Sequence, residues 1–168
     1  MLGTQEQNRA FAENLKQKFP NVVIEALDLK GYPAVVIKKE GIKSLASALK
    51  NNPEYDFNVL SDLSAVDYLF WEEKEFRFEV IYNFYSIKRN QRLIVKALVP
   101  EAELTIDSVV SFWPSANWFE REVWDMFGVR FTGHPDPRRI LMYEGFEGHP
   151  LRKDYPYNKR QPLVGPMN

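Results

Sequence analysis

Cysteine is absent from the 168 residues, and that gap removes disulfides, thiolate nucleophiles and the thiolate ligands of iron–sulfur clusters together. Any cluster chemistry connected with this chain has to lie on another polypeptide. Histidine is nearly as scarce, at two residues, which leaves little material for a transition-metal site. No apolar run approaches the roughly 20 residues that span a bilayer, and the opening MLGTQEQNRAFAENL lacks the basic and apolar regions of a signal peptide. The expectation is a chain that stays in the cytoplasm and meets a membrane only through other proteins. Strong charge of either sign is missing as well. A formal net charge of −1 gives no basic field to draw nucleic acid.

What is present is a globular balance, 45% hydrophobic and 27% charged, in a chain long enough for one ordinary domain and too short for two large cores. Residues 5–19 place Phe11, Leu15 and Phe19 at helical spacing behind a candidate cap at Thr4, and Pro20 stops the pattern. The short β-branched runs Val22–Leu27 and Ala34–Ile37, separated by Gly31 and Pro33, predict a hairpin. Ile42, Leu45, Ala46 and Leu49 share one helical face before Asn51, Asn52 and Pro53. Three β-rich runs follow, near 57–70, 76–86 and 91–98. In the middle one Phe76, Phe78, Val80, Tyr82 and Phe84 alternate strictly, as in a strand with one buried face. The order α-β-β-α-β-β-β predicts an α+β fold, a two-layer domain with helices on one face of a mostly antiparallel mixed sheet of about five strands.

After Pro100 a short helix is expected over Ile106–Phe112. A further helix over Ala116–Phe127 is expected to be capped by Ser115 and ended by Gly128. Seven of the eleven prolines fall at Pro114 or later. A proline-rich, aromatic-rich tail over residues 129–168 cannot close a core alone and is too apolar for a solvated linker, so it is expected to lie along another protein. The domain division is then a core at 1–128 and a docking tail at 129–168.

The densest charge is Glu120-Arg121-Glu122 with Asp125 in one short helix. Arg121 and Asp125 are four apart and can pair along it. Trp118, Phe119, Val123, Trp124, Met126 and Phe127 leave so little of that helix free that partly buried charges with partners in another domain or subunit are the better expectation. His134 and His149 each open a Gly-His-Pro element at 133–135 and 148–150. They could share a metal with Asp136 or Glu147, but Gly before and Pro after favour turns with hydrogen-bonded imidazoles. A small enzyme built on Glu122, Asp125 and His134 lacks a neighbouring nucleophile or phosphate-binding glycine loop. Arg138-Arg139 and Arg152-Lys153 beside aromatics raise RNA contact as an alternative, yet Asp136, Glu144, Glu147 and Asp154 in the same stretch give the mixed charge of a protein interface.

Three runs are specific enough to carry a resemblance: Trp118-Phe-Glu-Arg-Glu-Val-Trp-Asp-Met-Phe-Gly128, Phe131-Thr-Gly-His-Pro-Asp-Pro-Arg-Arg-Ile-Leu141 and Gly148-His-Pro-Leu-Arg-Lys-Asp-Tyr-Pro156. Upstream, Leu60-Ser-Asp-Leu-Ser-Ala-Val-Asp-Tyr68, the strand Phe78–Tyr85 and Val95-Lys-Ala extend it, so that it covers roughly residues 55–160. The chain resembles the thirty-kilodalton, C-type subunit of complex I, the proton-translocating NADH:quinone oxidoreductase. The resemblance implies a non-catalytic subunit of the peripheral arm, on the cytoplasmic face of the membrane, with FMN and iron–sulfur clusters held by other subunits. It implies packing against the forty-nine-kilodalton-type, or D-type, partner that helps form the quinone pocket, with the tail draped over it. Carried over by position, Glu120, Arg121, Glu122, Asp125, His134, Arg138, Arg139, His149, Arg152 and Asp154 become interface residues and none becomes catalytic. Ending soon after the tail motif, the chain is expected to be the form not fused to that partner. Relatives that take electrons from ferredoxin, or that belong to membrane-bound hydrogenases, share the fold and are the alternative.

Overall fold

The computed structural model describes residues 4–162; the part of the expected tail beyond Pro162 lies outside them. Helix α1 (Gln5–Lys18) begins at a full capping box, in which the Thr4 hydroxyl accepts from the backbone of Gln7 while the Gln7 side chain accepts from the backbone of Thr4. Strands β1 (Val23–Leu29) and β2 (Tyr32–Lys38) form the expected hairpin. Its two-residue turn needs positive φ at both positions, and Lys30 and Gly31 supply 53° and 88°. The Asp28 carboxylate holds the turn by accepting from the Gly31 N–H at 3.0 Å. Helix α2 (Ile42–Asn51) buries Ile42, Leu45, Ala46 and Leu49 completely, the stripe read from the sequence. A fully buried leucine contributes about 1.5–3 kcal/mol.

Strands β3 (Val59–Asp67), β4 (Phe78–Ser86) and β5 (Gln91–Val99) make an antiparallel meander. The whole sheet runs β1-β2-β5-β4-β3, with a parallel joint only between β2 and β5. Alternate residues Phe78, Val80, Tyr82 and Phe84 of β4 and Leu93, Val95, Ala97 and Val99 of β5 face one continuous core with the apolar sides of the helices. This is the α+β arrangement expected from the element order.

The region after Pro100 departs from expectation. In place of a helix over Ile106–Phe112 stands strand β6 (Thr105–Asp107), paired in parallel with β7 (Arg130–Thr132), and then a chain of turns. The reason is nonlocal, since the Ser108 N–H donates to the Thr132 carbonyl and the Val109 N–H donates to the Glu120 carboxylate. Residues 130–132, counted with the tail, are thus a strand of the body. Helix α3 (Ala116–Phe127) lies where expected, ended by Gly128 at φ 84°. Ser115, however, caps nothing with its side chain; its hydroxyl donates to the Leu60 carbonyl at 3.3 Å and ties the helix to β3.

Candidate functional site

Helix α3 sits on β3 with its entry fixed by the Trp113 indole, which donates to the Phe57 carbonyl at 3.1 Å. Its inward face carries two carboxylates beside Val123, Met126 and Phe127: Glu120 and Asp125 are both fully buried. Buried charge is costly unless it is paired, so the partners of these two acids define the site.

Asp125 is paired many times over. One carboxylate oxygen accepts the backbone N–H groups of Ile140, Leu141 and Met142 at 3.1, 2.8 and 2.8 Å, and the other accepts the Arg139 guanidinium at 2.5 Å. Burial pushes its pKa up, but those three N–H groups and Arg139 outweigh it and hold the group below the usual carboxylate value. The Asp125 carbonyl lies 3.0 Å from Nδ1 of His149. Gly128 lets that ring approach, because a Cβ at this position would stand 2.8 Å from it. Arg139 continues to the Gly148 carbonyl at 3.1 Å and lies over the rings of Trp124 and Phe146. Helix α3 therefore grips the tail through Asp125.

The helix-local pair of Arg121 with Asp125, the less favoured of the two readings, is not formed. Arg121 turns the other way and donates to the carbonyls of Arg138 and Arg139 at 2.9 and 2.8 Å, with Asp136 at 3.6 Å. The helix-local reading fails because the tail offers both residues better partners than the four-residue spacing does.

A second anchor involves Asp67, which the sequence reading passed over. This buried carboxylate takes Arg77 in a two-pronged contact at 3.0 and 2.9 Å, the Leu69 N–H at 3.0 Å and, from the tail, the Lys153 N–H at 2.8 Å. Burial raises its pKa; Arg77 and the two N–H groups bring it below the usual value. Arg77 also reaches Asp154 at 3.0 Å and Glu101, and Arg152 holds Asp154 through both carboxylate oxygens at 3.1 Å. Arg152, with Arg77 behind it, lowers Asp154 to about 2. A signal was present: Leu63, Ala65 and Asp67 alternate on the buried parity of β3, which places an acid where an apolar residue belongs.

Glu120 is the exception to this pairing. One of its oxygens accepts the Val109 N–H at 2.8 Å; the other has no hydrogen-bond partner and lies 3.9 Å from Nε2 of His134. Burial lifts its pKa to about 7, against the opposing pull of Ser108 and Val109. His134 is held as a turn imidazole, with Nδ1 accepting the Asp136 N–H and Nε2 facing the Asn117 carbonyl, both at 3.0 Å. Beside the pair opens a cleft of about 430 Å³ lined by Trp124, Arg130, Phe131 and Pro137. Glu122 and Arg138 are exposed, Arg138 holding Asp136 beside it. Among the described residues there is no cluster of three or more His, Asp or Glu able to hold a metal, and no helix long and apolar enough to cross a membrane.

The tail thus lies along its own body, where the sequence suggested only a foreign surface. Large apolar groups nonetheless remain exposed on it and beside it: Leu141, Leu151 and Tyr157 in the tail, and Trp118 on α3.

Residues 35–161 match the family model described as the respiratory-chain NADH dehydrogenase 30 kDa subunit. The C-type subunit of NADH-quinone oxidoreductase from Geotalea uraniireducens is 45% identical, with 97% of each chain covered. NADH-ubiquinone oxidoreductase subunit 9 of Reclinomonas americana is 46% identical over 90% of this chain and 74% of its own. Among solved structures, the trypsin-resistant fragment (1–134) of Nqo5 superposes with a TM-score of 0.66 at 31% identity, covering 76% of this chain and 98% of the fragment. A chain of an archaeal membrane-bound sulfane sulfur reductase shares the fold at a TM-score of 0.73 and 22% identity, over 90% and 87% of the two chains. The chain belongs to the family of the respiratory-chain NADH dehydrogenase 30 kDa subunit, to which the C-type subunit of NADH-quinone oxidoreductase corresponds.

Proposed function

We propose that this chain is a non-catalytic peripheral subunit of a proton-translocating NADH:quinone oxidoreductase. It docks on the forty-nine-kilodalton-type subunit at the quinone site and carries no flavin, iron–sulfur cluster or quinone of its own. The observation that carries this reading is the way two buried carboxylates, Asp125 and Asp67, hold an irregular tail against the body while Leu141, Leu151 and Tyr157 stay exposed on it. A segment fixed by its backbone and presenting its apolar side chains outward is pre-organised to bind, because little ordering remains to be done on association. Arg121, Arg139, Arg152 and Asp154 then act through the tail's shape, whereas Glu122 and Arg138, which face solvent, touch the partner directly. NADH is favoured as donor by relatives at 42–46% identity named for NADH. The complex would place this chain on the cytoplasmic face, attached to the membrane only through its partners.

The test is purification of the full chain, tagged and in place of the native copy, from its own membranes, with the co-purifying proteins identified. The quinone-site partner and NADH-dependent quinone reduction in the eluate are expected. Recovery of the chain alone, or with RNA, overturns the reading.

A further inference from the structure

The hairpin between β3 and β4 ends in three consecutive large apolar residues, Leu69, Phe70 and Trp71, that are 38%, 78% and 57% exposed. Scattered apolar residues on a surface are ordinary, but a contiguous group at the tip of a projection is not. Nor is this tip loose. The Trp71 N–H donates to the Tyr68 carbonyl at 2.8 Å, the Lys74 N–H donates to the Trp71 carbonyl at 3.1 Å, and the Leu69 N–H is taken by Asp67. The Trp71 ring stands edge-on to Tyr68 at 5.8 Å, and the Tyr68 hydroxyl is fixed by Glu79 at 3.1 Å.

The exposed charges that follow the tip in the chain and enter no ion pair are all acidic. Glu72, Glu73 and Glu75 are exposed and enter none of the ion pairs among the described residues. The one cation between them, Lys74, turns back onto buried Glu79 at 2.8 Å and over the Tyr68 ring. The result is a hydrogen-bonded apolar knob followed directly in the chain by a collar of three exposed carboxylates.

We propose that Leu69-Phe70-Trp71 is a plug that inserts into an apolar pocket rimmed by lysine or arginine on a partner protein. The inference rests on the chain working inside an assembly and adds a contact apart from the tail. Rigid aromatic anchors lose little entropy on binding and are where interface energy concentrates. The collar decides between partners: three carboxylates beside the knob repel an anionic bilayer surface and attract a basic rim. Asp67 accepts from both Leu69 and Lys153, so the plug and the tail leave the body at neighbouring points and can reach one partner surface.

Photo-crosslinking in the assembled complex separates the possibilities. With p-benzoylphenylalanine in place of Phe70, or separately of Tyr157, irradiation of native membranes should yield a crosslink from each position, and the peptide joined to position 70 should carry lysine or arginine beside apolar residues. Crosslinks from position 157 without any from position 70 sink the plug and leave the docking reading standing. Silence from both sinks the docking reading as well. A position-70 product containing lipid or a second copy of this chain also overturns the plug. Phe70→Ser with Trp71→Ser should leave the circular dichroism and melting temperature unchanged, because the tip is exposed, and reduce assembled complex on a native gel at least tenfold. Glu72→Lys with Glu73→Lys and Glu75→Lys should do the same. Full assembly with either set overturns the proposal.

Discussion

At the scale of single residues, the family run on α3 divides into acids with opposite pH behaviour. Glu120 has its folded pKa raised from 4.5 to about 7, so the folded state binds a proton more tightly than the unfolded chain. The stability from this difference is fully present below pH 4.5 and is lost as pH rises through about 7; a shift of that size corresponds to roughly 3 kcal/mol. Asp125 and Asp67 are lowered, so their contribution is present above the ordinary aspartate range and is lost in acid. Glu120→Gln should therefore flatten the neutral limb of the stability–pH curve and leave the acid limb alone, which urea unfolding between pH 4 and 8 would show. An unchanged neutral slope would mean that Glu120 does not titrate there. Asp125→Ala strands Arg139 and three backbone N–H groups and should cost on the order of 3–5 kcal/mol. Arg121→Ala removes bonds to two carbonyls and a longer contact with half-exposed Asp136, and strands no buried charge, for a loss of about 1–3 kcal/mol. Denaturation of the two variants should rank them in that order; equal losses would contradict the assigned partners.

At the scale of elements, what could be read from the sequence and what could not have a common physical cause. The capping box at Thr4, the stripe Ile42, Leu45, Leu49, the alternation along β4 and the stop at Gly128 are local signals, each complete within a few residues. Strand β6 exists because Ile106 pairs with Phe131 across α3, and nothing local to Ile106–Phe112 announces that. The tail's anchorage is equally nonlocal: Asp125 was visible as a charge among aromatics, but its partners Ile140, Leu141 and Met142 contribute backbone, which side-chain patterns do not reveal. Trypsin offers a direct reading of this element. In the isolated chain, exposed Lys159 and Arg160 should be cut first. Cleavage after Arg138 and Arg139 should be slow in the native protein and at least tenfold faster in Asp125→Ala, as mass analysis of timed digests would reveal. Equal rates in the two proteins would mean that Asp125 does not hold the tail.

At the scale of the whole molecule, the sheet is two locally wired pieces, a hairpin over β1 and β2 and a meander over β3, β4 and β5, sewn together along the parallel pairing of β2 with β5. In that seam Val35 sits opposite Val95, with α2, β3 and β4 intervening in the chain. Contacts of such long sequence separation bear the largest loop-closure cost and form late. The meander should therefore nucleate folding and the hairpin dock afterwards. In stopped-flow refolding, Val80→Ala in the centre of the meander should slow folding, whereas Val35→Ala should leave the folding rate nearly unchanged and accelerate unfolding. Slowed folding in Val35→Ala would place the seam in the nucleus instead. The parallel joint thus sets an order of events during synthesis: β2 leaves the ribosome with half of its hydrogen-bonding groups unpaired and waits for β5, so the newly made chain carries an open strand edge until Val99 has emerged.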